Sequence, residues 1–96
     1  MTVTEFFGSK REEMVRVAAR HGAHDLRVFG SVARGNAGPD SDVDLLATLE
    51  PGVTLLRHAA LVRELEAILG RKVDVVSDRG LRPRVRERVL RDAVPL

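Results

Sequence analysis

Apolar positions recur along the chain in short runs whose period changes, and each change marks a new element. Met14, Val17 and Ala18 are spaced three and four apart, which predicts a helix from about Lys10 to His21 with Gly22 as its stop. Ser9-Lys10-Arg11-Glu12 just ahead has capping-box spacing. Leu26 to Phe29 is short, apolar and partly β-branched, the character of a strand. Gly30 to Ser41 collects Gly, Pro, Asn and Ser and reads as a turn region; Asp42 to Leu49 is the next strand. Thr54 can cap a helix reaching Leu69, with Leu55, Ala59, Val62, Leu65, Glu66 and Leu69 near one face and Gly70 closing it. Lys72 to Val76 is a third strand, and Pro83 suits the first turn of a last helix to about Arg91. The order α-β-β-α-β-α predicts an α+β fold, a small mixed sheet with helices packed on it, as one domain over residues 1–96.

With 44% hydrophobic and 31% charged residues, the chain has the composition of an ordinary globular domain. No apolar run approaches the roughly 18 residues of a membrane span, and the N-terminus lacks the basic-then-apolar order of a signal peptide. Cysteine is absent, which excludes disulfides and thiolate metal sites and fits a cytoplasmic setting. The net charge is only +2, but it is unevenly spread. Six arginines and one acid, Glu87, lie between Arg79 and Arg91, whereas residues 36–56 hold four acids and no base. The arginine stretch reads first as a solvated helix face and second as a docking surface for an acidic partner.

The acids carry the candidate chemistry. Asp42 and Asp44 are two apart on an expected strand, so their side chains share a face. Adjacent carboxylates repel unless a cation lies between them, and hard oxygen ligands favour Mg²⁺ or Mn²⁺. Asp74, set among Val73, Val75 and Val76, is a third carboxylate that joins the pair if the two strands are neighbours. The plain alternative is three solvated acids on an exposed sheet face. An EF-hand fits Asp40, Asp42 and Asp44 but fails at Leu45, where Gly is needed, and at Pro51, where the bidentate Glu belongs.

Gly30-Ser31 follows the first strand, where a tight turn presents backbone N–H groups to phosphate. Arg34 can offset negative charge and Gly35 permits a positive φ. Neither GxxxxGK[ST] nor GxGxxG is present. His21, His24 and His58 show no ligand spacing and read as surface residues.

Taken together, Gly30-Ser31-Val32-Ala33-Arg34-Gly35 and, after five intervening residues, Ser41-Asp42-Val43-Asp44-Leu45 resemble the signature GSxARGxxxxxSDxDL. That is the motif of the minimal nucleotidyltransferases of the DNA polymerase β-like superfamily. Val73-Asp74-Val75-Val76 looks like the family's third-carboxylate strand, and Arg88 to Leu96 like its last helix and tail. The resemblance implies the polymerase β palm-like fold and transfer of AMP from ATP to a hydroxyl, releasing pyrophosphate. It implies a two-metal Mg²⁺ site on Asp42, Asp44 and Asp74, with metals about 4 Å apart, and nucleotide contacts from Gly30, Ser31, Arg34 and Ser41. It further implies a partner, since such domains commonly pair with a HEPN-domain toxin as its antitoxin, some by adenylylating a toxin tyrosine.

Size bears on the acceptor. Larger members use added domains to grip it, and only Phe6, Phe7 and Phe29 are aromatic here, too few for a nucleic-acid stacking platform. A partner protein is therefore the expected acceptor. The competing expectations are an antitoxin that acts by contact alone and a small-molecule transferase.

Overall fold

The computed structural model describes residues 2–96. Two helices, α1 (Val3–Phe7) and α2 (Lys10–Arg20), lead into strand β1 (Ala23–Phe29). The chain continues through a four-residue helix α3 (Gly30–Ala33), β2 (Val43–Leu49), α4 (Leu55–Leu69), β3 (Val73–Ser77), a 3₁₀ turn (Asp78–Gly80), α5 (Pro83–Asp92) and β4 (Val94–Pro95). The sheet order is β3-β2-β1-β4: β1 is antiparallel to β2 and β4, while β2 and β3 run parallel. The expected mixed sheet is thus present. The parallel pair is joined by α4, because parallel strands need a long crossover.

Most of the expected elements form, with instructive differences. The capping box is not at Ser9, which is helical (φ −69°, ψ −15°) and makes no side-chain cap bond. It lies at Thr2, whose hydroxyl accepts from the Glu5 N–H while Glu5 reaches back to the Thr2 N–H, starting a helix the apolar spacing does not announce. β1 begins at Ala23, three residues early, and its ladder shifts register between His24 and Arg27, with Asp25 in the left-handed region (φ 54°). Asp tolerates that conformation better than most residues. The supposed turn at Gly30 opens with α3. β4 is too short to show a period in the sequence.

The helix α4 matches its expected bounds, with the Thr54 hydroxyl accepting from the Arg57 N–H and Gly70 left-handed at its end. Its buried face is different: Leu61 and Leu65 are buried, while Leu55 is 86% exposed and Ala59 is exposed. Leu61 and Leu65 meet Met14, Val17 and Ala18 of α2 and Val28, Val43, Leu45, Val73 and Val75 of the sheet in one core. That apolar face supplies most of the driving force, at roughly 25 cal/mol per Å² removed from water. His21 and His58 are half-buried and partnered, not free surface residues. His21 contacts Glu64, and His58 Nε2 lies 2.8 Å from the Val75 carbonyl on the β3 edge.

Candidate functional site

β1 and β3 flank β2, and the register fixes which side chains share its open face. Asp44 stands opposite Phe29 on β1 and opposite Asp74 on β3. Neighbouring strands lie about 4.8 Å apart, so Asp44 and Asp74 are adjacent and project the same way. Leu45 and Val75, one step on, are both buried in the core. Asp74 is exposed, so an acid between valines follows from alternation on a one-sided edge strand. Asp42 lies immediately before β2 and is exposed.

Asp44 is half-buried, and its carboxyl is pushed above the ordinary aspartate value. Burial is the main cause; the negative charges of Asp74 and Asp42 add to it, and Arg34 works against it. Both other acids therefore lie within electrostatic reach. Among the described residues, no three His, Cys, Asp or Glu side chains are drawn together closely enough to hold an ion by themselves. Mg²⁺ does not need such a cage: it is usually held by one or two carboxylates plus substrate phosphate oxygens. An all-oxygen donor set around a carboxylate that two neighbouring acids burden, and one arginine only partly relieves, fits a hard divalent cation.

Gly30 is required here for two reasons. Its φ is +73°, and a Cβ would come within 2.5 Å of Asp44 Oδ2. The small side chain expected to admit a phosphate also admits the Asp44 carboxylate. Ser31 follows in the first turn of α3, where N–H groups have no partner within the helix. Arg34 caps α3 and points to Asp92 of α5 at 3.6 Å, an exposed pair of small net value. The Ser41 hydroxyl accepts from the Gly38 N–H at 2.8 Å, so it closes the loop ahead of Asp42. Gly35 adopts the positive φ expected of it (78°).

Two sizeable clefts, about 510 and 530 Å³, lie elsewhere: one beside Val15, Leu26 and Leu96, the other beside Phe6, Pro39 and Leu69. The acids stand instead on an open shelf. Sequence reasoning did not single out Arg71, whose side chain donates to the Gly38 and Ser41 carbonyls. Arginine after a helix stop carries no motif, and only the tertiary contact reveals it.

A mixed sheet with acids on adjacent strands beside a glycine-serine turn matches the arrangement expected of a nucleotidyltransferase. The sequence profile of the nucleotidyltransferase domain family matches residues 13–96, and the chain belongs to that family. It is 43% identical over 75 residues to the protein adenylyltransferase MntA of Thermococcus cleftensis, covering 78% of this chain and 76% of that protein. It is 33% identical over 84 residues to a Methanocaldococcus jannaschii protein provisionally named a protein adenylyltransferase, covering 88% and 90%. A solved structure provisionally described as a minimal nucleotidyltransferase is 56% identical, with a TM-score of 0.87 over 100% of this chain and 97% of that one. A toxin–antitoxin structure with AMP-PNP shares the fold at 17% identity and a TM-score of 0.76, covering 88% and 69%. The chain is a nucleotidyltransferase enzyme.

Proposed function

We propose that this chain acts as a single minimal domain that transfers AMP from ATP, with Mg²⁺, to a hydroxyl on a partner protein. The partner in this reading is a HEPN-domain toxin, the acceptor a tyrosine, and the outcome neutralisation of the toxin. One observation carries it: Asp44 stands beside Asp74 across the ladder and two residues from Asp42, and among the described residues Arg34 is the one cation that opposes their combined charge at its carboxyl. The protein adenylyltransferases among the chain's relatives support the type of transfer, and the toxin–antitoxin structures of the same fold support the type of partner.

Asp42, Asp44 and Asp74 would hold the divalent ion, which when bound neutralises phosphate charge and stabilises the leaving oxygen. The acceptor oxygen forms a bond to the α-phosphorus as the bond to the bridging oxygen of the β-phosphate breaks. The electron pair leaves with pyrophosphate, and Asp74 takes the acceptor proton and passes it to solvent. Gly30 and Ser31 hold the β- and γ-phosphates through the N–H groups opening α3. Arg34 can swing from Asp92 to offset charge on the leaving group, and Ser41 serves the nucleotide indirectly by shaping the loop. The open shelf leaves the acceptor side to be completed by the partner's surface.

The test is incubation with ATP, Mg²⁺ and a candidate HEPN-domain toxin, followed by intact mass. A gain of AMP on the partner with the wild type and none with D42N or D44N is expected. An unmodified yet silenced partner would overturn transfer in favour of neutralisation by contact.

A further inference from the structure

Asp42 is pinned on both sides by two consecutive residues of another segment. On its N-terminal side, Arg71 Nη1 donates to the Ser41 carbonyl at 3.2 Å and to the Gly38 carbonyl at 3.3 Å. On its C-terminal side, the Val43 N–H donates to the Lys72 carbonyl at 2.9 Å, the first rung of the β2–β3 ladder. The loop is closed on itself as well: the Ser41 N–H donates to the Gly38 carbonyl, and the Gly38 N–H to the Ser41 hydroxyl. The Arg71 guanidinium carbon lies over the Phe6 ring on α1, 4.9 Å from its centroid and within cation–π reach. Among the described residues it makes no ion pair, so its donors go to backbone carbonyls.

We propose that Arg71 is a positioning residue for the metal-binding carboxylate of Asp42, holding the Gly38–Ser41 turn against β3 while Phe6 holds Arg71. This rests on the reading of Asp42 as a metal ligand. Arginine suits the task because one planar group can stack and donate at once, which an ammonium does less well. The electrostatic sign makes the idea testable. Removing a cation near acids should by itself strengthen binding of another cation. A loss of metal affinity on removing Arg71 therefore has to come through geometry.

The experiment titrates Mn²⁺ alone into the full chain by electron paramagnetic resonance, alongside thermal melts, for wild type, D42N, R71A and R71M. R71M retains a long side chain against Phe6 but removes the charge and both hydrogen bonds. Mn²⁺ affinity should fall about tenfold in R71M and R71A, the equivalent of one charge-assisted hydrogen bond. A purely structural role would lower the melting temperature and leave the Mn²⁺ affinity of the folded chain unchanged or improved, and that result overturns the proposal. If R71A does not fold, R71M decides in the same way. Wild-type affinity in D42N would remove Asp42 as a ligand and the proposal with it. Loss in D42N with wild-type affinity in both Arg71 variants would remove the positioning role alone.

Discussion

Replacing Gly30 by alanine tests how closely the Asp44 carboxylate sits against the turn that opens α3. Two costs arise, and a second glycine separates them. Gly30 has φ +73° and Gly70 has φ +68°, so an alanine at either position pays the left-handed backbone cost of about 1–2 kcal/mol. For a domain of this size that lowers the melting temperature by about 4–16 °C. Around Gly70 nothing lies within 4 Å of the added Cβ, whereas at Gly30 the Cβ meets Asp44 Oδ2 at 2.5 Å. That oxygen must retreat by about 0.9 Å to reach the 3.4 Å of an ordinary contact. A displacement of about 1 Å in a catalytic group can cost roughly 10²-fold in rate. Thermal melts and AMP transfer are measured on G30A and G70A side by side. Both should melt lower, but only G30A should lose transfer, by about 10²-fold beyond any loss in G70A. Equal transfer by the two variants would refute the claim that the Gly30–Asp44 approach shapes the site.

Other outcomes follow from the same contacts. Asp44 has a raised folded-state pKa, so its contribution to stability is present below the unfolded value of 3.8 and is lost as pH rises through the folded value. Metal-free D44N should therefore melt higher than wild type near neutrality, and the gain should vanish below about pH 3.8 in a melt series; a pH-independent difference would contradict it. Added Mg²⁺ should raise the melting temperature of wild type and not of D44N, as followed by calorimetry. Arg86 holds the Asp78 carboxyl below its usual value through a hydrogen bond of 2.6 Å, so D78N should melt slightly lower than wild type at neutral pH. That deficit should disappear as the pH falls through the folded Asp78 value, as for any acid with a depressed pKa. H58A removes the cover of the Val75 carbonyl and should cost about 1 kcal/mol, roughly 4–8 °C in melting temperature, with transfer intact.

How much of this could be read in advance depends on the range of the interactions. Thr54, Gly70 and Pro83 act on backbone groups a few residues away, so the bounds of α4 and the start of α5 are legible from local chemistry. The spacing from Gly30 to Asp44 is legible for the same reason, being contained in one stretch of chain. Side chains that face other elements are not. Leu55 and Leu61 look alike in a helical pattern, yet Leu61 is buried and Leu55 exposed because α2 and β3 lie beside only one of them. Ser9 has the chemistry of a cap but is helical itself, since α1 and α2 meet there with little chain between them. Arg71 and His58 acquire partners 30 and 17 residues away, beyond any local period.

The pairing of Asp44 with Asp74 across a parallel ladder has a consequence for how the enzyme can fail. Side chains alternate along a strand with a period of two, so a slip of one residue in β3 would turn Asp74 into the core and Val73 or Val75 outward. No partial slip exists between those states. Activity in a population of molecules should then be granular: each copy has its third acid or lacks it. Under the role proposed for Asp74, a preparation's specific activity would count the molecules whose β3 is in register, and so report on folding fidelity.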